Sequence, residues 1–173
     1  ATLAIGLSAS PVMAQDSVYQ EHANLWSVLR SHGVKTFLNP GQCWDKENKG
    51  INGFYISADK GYLVVCQDNR KSPDKEVAWT ANDYDTLRHE TVHLIQDCMD
   101  GVGDRSLIPF LGDDLQEFVV RTLPQSRIER IIKVYRENGA SNHAIINELE
   151  AFSMAAVVSP TTLIQAVNAS CGK

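Results

Sequence analysis

The stretch DTLRHETVHLIQDC, residues 85–98, carries two histidines four apart with a glutamate directly after the first. It constrains the chain more tightly than any other segment. Asp83 or Asp85 can cap a helix start and Gly101 supplies a stop, so a helix is predicted from there to about Met99. Positions four apart on a helix share one face about one turn apart, and His89 and His93 therefore direct their imidazoles at one point. Glu90 leans toward the same edge. Two neutral imidazoles suit Zn²⁺, and a glutamate in that place is too short of the ion to bind it but reaches a water held there. An ordinary amphipathic helix with two histidines leaves the glutamate unexplained.

A catalytic zinc needs a third protein ligand and an open position. The metzincin continuation requires Gly at 96 and His at 99, where Gln96 and Met99 stand, so that subgroup is excluded. Further on, AIINELEAFSMAA (144–156) has helical spacing: Ala144, Ile145, Leu149, Phe152, Ala155 and Ala156 form one apolar stripe. Glu148 falls inside that stripe, and Glu150 points nearly opposite. A carboxylate facing a core needs a compensating partner, and a zinc ion is one. Glu148 is the expected third ligand, with Glu150 and then His143 as substitutes.

On these residues the chain resembles the gluzincins, zinc metallopeptidases of the thermolysin-like kind. They join HExxH on one helix to a glutamate on a later one, here His89, Glu90, His93 and Asn147-Glu148-Leu149-Glu150-Ala151. The resemblance covers roughly residues 50–158. It departs from the pattern at Phe152, where the family usually has the aspartate that orients the first ligand histidine, so another acceptor is expected to hold that imidazole. The resemblance implies one Zn²⁺ per chain and peptide bonds as substrate. Glu90 would be the base that takes the proton of the attacking water. An extended peptide would add to an edge strand, with 61–67 or 76–80 as candidates. Tyr135, Arg136 and His143 are candidates for stabilising the developing oxyanion.

A chain of 173 residues suits one domain, 15–173, after a leader. Residues 1–14, ATLAIGLSASPVMA, are small and apolar and read as a truncated secretory signal cleaved after Ala14. The run is too short to span a bilayer. The net charge is −5 and the basic residues are scattered, so neither a nucleic acid nor an anionic membrane is an expected partner. Four cysteines without a CxxC pair agree with a secreted or periplasmic location. Three connectivities are open. Cys43 with Cys66 is favoured because it ties the segment before a hairpin to its second strand, which leaves Cys98 with Cys171.

The remaining pattern predicts an α+β fold of zincin-like type: a small N-terminal hairpin or sheet, then a helical half carrying the metal helices. A helix is expected over 16–32, a hairpin over 53–57 and 61–67, and a short edge strand over 76–80. Helices follow at about 113–122, 125–137, 141–158 and 161–169. Trp26, Trp44 and Trp79 read as core or rim. His22 and His32 read as structural or exposed residues without partners, and Asp97 as a solvated acid rather than a support for His93. The leading expectation is a secreted zinc peptidase. A secreted binding module with a structural zinc, and a hydrolase of non-peptide amides, are the competing ones.

Overall fold

The computed structural model describes residues 11–99 and 101–172, with side chains from Asp16 onward. The expected leader, 1–14, lies mostly outside the described residues. The backbone of 11–14 belongs to helix α1, Pro11–Ser31, which starts earlier than the expected 16. Proline is well suited to a first turn, where its missing N–H is not needed. Strands β1 (Lys35–Leu38), β2 (Gly53–Ile56) and β3 (Tyr62–Val65) follow. Then come α2 (Ala81–Cys98), α3 (Leu115–Thr122), α4 (Gln125–Glu137), α5 (Asn142–Val157) and α6 (Pro160–Cys171). A small three-stranded sheet and a mostly helical remainder make the fold α+β, as expected.

The hairpin forms as predicted, β2 antiparallel to β3 with Phe54 opposite Val64. Its turn closes with Gly61 N donating to Ala58 O at 2.8 Å. The sheet order β1-β3-β2 corrects the edge assignment: 61–67 holds the centre, and β1 runs parallel to β3 on its other side. The other candidate edge, 76–80, is not a strand. Its backbone is instead met by one buried side chain, since Gln67 Oε1 accepts from Val77 N at 2.8 Å and Gln67 Nε2 donates to Val77 O at 2.9 Å. That amide does the work of a ladder pair, so β-branched composition at 76–80 yields an extended segment without a strand.

Successive β3 residues face opposite sides. Leu63 and Val65 enter the main core with Leu25, Leu29, Leu87 and Val92, while Val64 packs under the Cys43–Cys66 disulfide with Phe54. A smaller core, Val119, Leu123, Ile128 and Ile131, joins α3 and α4 to the Leu149 and Phe152 side of α5. Helix α5 therefore packs on two sides, against α2 through Ala151 and against α3 and α4 through Leu149 and Phe152. Both favoured disulfides are present, Cys43–Cys66 and Cys98–Cys171. The second ties the end of α2 to the end of α6. No helix among the described residues is long and apolar enough to cross a membrane.

Candidate metal centre

Helix α2 begins one turn earlier than the histidines alone require. Thr80 is its cap: the Thr80 hydroxyl accepts from Asp83 N at 3.1 Å, and the Asp83 carboxylate accepts from Thr80 N at 2.9 Å. Asp83 is thus the reciprocal partner in a capping box rather than the cap itself. The helix is buried on most of its surface, and His89, Glu90 and His93 are all under 9 % exposed. His89 Nε2 lies 3.1 Å from His93 Nε2. Glu148 comes from α5 to meet both, with Oε2 3.2 Å from His89 Nε2 and Oε1 3.3 Å from His93 Nε2. Together they form a group that could hold a metal ion.

The two substitute ligands serve elsewhere. His143 is exposed and donates from Nε2 to Leu107 O at 2.6 Å. Glu150 is fully buried rather than opposite the core, because α5 packs on two sides and a single-stripe reading misses the second. It accepts from Gln96 Nε2 at 3.0 Å, Phe110 N at 3.1 Å and Leu111 N at 2.9 Å.

The two imidazoles are held differently. His93 Nδ1 lies 2.8 Å from Gln96 Oε1. His89 Nδ1 is buried and has no hydrogen-bond partner among the described residues. The acceptor expected in place of the family aspartate is not there; Phe152 instead lays its ring 4.3 Å from the His89 ring, at 55°. Arg127 sits over the other part of that arrangement, 5.6 Å from the Phe152 centroid. The ring of His89 is therefore held by the Phe152 contact on one side and by Nε2 facing Glu148, with no hydrogen bond at Nδ1 among the described residues.

Charge follows from this crowding. Burial works against ionisation of Glu148, but hydrogen bonds to His89 and His93 outweigh it and hold the carboxyl well below the usual carboxylate range. Burial by itself would lower His93, yet the Glu148 carboxylate overrides it and the imidazole is pushed up to about 9. A proton on His93 thus competes with any cation for the same place. Burial also raises the Glu90 carboxyl, against the opposing pull of the two imidazoles. Of the three oxyanion candidates, Tyr135 alone stands at the site, where burial and the Glu148 carboxylate raise its phenol and keep it a donor. Arg136 lies on the exposed face of α4 beside Glu129 and Lys133.

Several residues outside the ligand set were misjudged or not singled out by sequence. Asp97 is buried, and accepts from Tyr55 Oη at 2.5 Å and Ser57 Oγ at 2.7 Å; it clamps the hairpin to α2 and does not touch His93. Its three-donor setting, completed by Gly103 N at 3.2 Å, is long-range and leaves no local signal. His22 has partners after all: Nδ1 donates to Val18 O at 2.7 Å and Nε2 accepts from Arg88 Nη1 at 2.7 Å. His32 Nε2 lies 2.8 Å from Asn168 Oδ1. The tryptophans stand as core or rim, as expected: Trp26 and Trp79 meet edge to face on the main core, and Trp44 is exposed beneath Arg70. Gln96, three positions after His93 on the same helix face, is the one missed neighbour that helical spacing could have flagged. Compared with family models, curated proteins and solved structures, the chain matches none.

Proposed function

We propose that the protein is a secreted zinc-dependent peptidase whose ion is held by His89, His93 and Glu148 and whose general base is Glu90. The observation that carries the reading is the spacing of the three donor atoms, 3.1, 3.2 and 3.3 Å apart. A tetrahedral ion with bonds of about 2.0–2.1 Å has ligand atoms about 3.3 Å from one another. Two imidazoles and one carboxylate are also the donor set of catalytic rather than structural zinc, which leaves a position open. The two disulfides agree with an extracellular site of action.

When bound, zinc supplies Lewis acidity and makes a water more acidic near neutral pH. The chain does the rest. Glu90, raised by burial, accepts the proton of the attacking water on a carboxylate oxygen as the new C–O bond forms. The same proton goes to the amide nitrogen as the C–N bond breaks and the amine leaves. Tyr135, kept protonated by burial and by Glu148, donates its O–H toward the carbonyl oxygen as charge gathers there.

An extended peptide would add to the free edge of β2 rather than to 61–67 or 76–80. Gly53 brings that strand against α2: a Cβ there would lie 2.5 Å from Thr86 Cγ2 and 3.4 Å from Glu90 Cγ. A peptide on that edge would have its scissile bond close to Glu90. Metal content and cleavage of casein or mixed peptides, measured on the wild type and on Glu90→Gln, test the reading. Zinc in both with cleavage only in the wild type supports it. Zinc in both with no cleavage by either would sink the peptidase assignment in favour of a binding module.

A further inference from the structure

Gln96 is completely buried one turn beyond His93, and its amide orientation is determined by its neighbours. Its Nε2 donates to two acceptors, Asn147 O at 3.0 Å and Glu150 Oε1 at 3.0 Å. The oxygen end therefore faces His93 Nδ1. An amide oxygen only accepts, so Nδ1 carries the hydrogen, and the nitrogen left to face Glu148 and His89 is Nε2. Glu150 is pinned in turn by the Phe110 and Leu111 amides, and Gln96 O accepts from Ile108 N at 3.1 Å. A continuous buried network thus runs from the 108–111 loop through Glu150 and Gln96 to one ligand nitrogen. Among the described residues no comparable partner stands at His89 Nδ1.

We propose that Gln96, anchored by Glu150, is a positioning residue for the metal centre: it holds His93 in the Nδ1–H form with Nε2 turned to the ion, and so sets the affinity of the site. This deepens the zinc reading and rests on its ligand set, but not on peptide cleavage. Outer partners of ligand histidines typically change metal affinity by about 10–100-fold when removed. Gln96→Met keeps the length of the side chain and deletes both ends of the amide.

The test uses the full chain with isotope-labelled histidine and two readouts, zinc affinity against a chromophoric chelator and the nitrogen correlations of His93. In the zinc-loaded wild type, His93 is expected to show a slowly exchanging Nδ1 proton and metal on Nε2. Gln96→Met is expected to bind zinc about 10–100-fold more weakly and to exchange that proton faster. A loss of stability alone would lower the melting temperature without freeing the proton. Metal on Nδ1 in the wild type, or an affinity and exchange rate unchanged in the variant, overturns the proposal while leaving the zinc site intact. A wild type that takes up no zinc removes the ligand reading itself. The wild-type spectrum decides the tautomer even where the variant does not fold.

Discussion

His22 sits in the packed seam between α1 and α2, 3 % exposed, with its ring 4.3 Å from that of Tyr84. Burial lowers its pKa from 6.5, so below that pH the unfolded chain binds a proton that the folded chain resists. Its contribution to stability is whole above about 6.5 and declines as pH falls through the lowered value. Arg88, which donates to the ring and to Ala155 O at 2.9 Å, adds a like charge against protonation. Urea unfolding at stepped pH should show an acid limb that is shallower in His22→Gln; equal slopes would mean that this histidine titrates alike in both states. Gly53 makes the opposite kind of demand, for space. A Cβ would stand 2.5 Å from Thr86 Cγ2 and 2.6 Å from Val64 O. Gly53→Ala must push β2 away from α2, at a cost of about 1–3 kcal/mol by chemical denaturation. On the proposed peptidase reading, activity should fall further than stability does, because the strand moves relative to Glu90; unchanged kcat/KM would detach β2 from the substrate.

Hairpin and metal helix are joined at the level of elements by one carboxylate. Asp97 takes donors from β2 (Tyr55), from the turn (Ser57) and from the loop after α2 (Gly103). Asp97→Asn replaces an acceptor with a donor among donors, and an unsatisfied buried group costs about 1–3 kcal/mol. Melting should reveal that loss, with zinc affinity nearly unchanged because Asp97, although one turn beyond His93, bonds Tyr55, Ser57 and Gly103 and none of the three candidate ligands. A large fall in affinity would show that the clamp also shapes the site. These elements were legible to different degrees for reasons of range. The β2–β3 hairpin announces itself through GFYIS, GYLVV and a local turn. Strand β1 has only four residues, and its partner is supplied by residues 62–65, well downstream, so nothing in KTFL marks it. At 76–80 the pairing came from the Gln67 amide, which no strand propensity describes. Glu148, a lone carboxylate in an apolar stripe, is conspicuous in sequence and does stand beside His89 and His93; the burial of Glu150 is not legible because α5 has a second packed side that one stripe cannot represent.

Across the whole molecule, the candidate metal group lies where the two cores meet. His89 and His93 belong to α2, whose neighbours Leu87, Val92, Leu94 and Ile95 are in the main core, whereas Phe152 and Tyr135 at the site belong to the smaller α3–α4 cluster. Glu148, on α5, spans both. The main core carries an additional tie, since Cys98–Cys171 closes a sequence separation of 73 residues and secures α6. Loop closure on that scale is worth about 4 kcal/mol, so the main core would stay tied with or without an ion in the candidate site. Nothing covalent holds the smaller cluster. A bound ion stabilises only the folded arrangement that presents all three ligands, by about 4 kcal/mol when its concentration is a thousand times Kd. If the chain holds zinc as proposed, removing it with a chelator should therefore loosen α3 and α4 first, with faster amide exchange over 115–137, while β3 and α6 keep their protection. Restoring zinc should reverse it. Uniform acceleration across β3, α4 and α6 would instead make the two cores one cooperative unit, with the ion acting on global unfolding rather than on the seam.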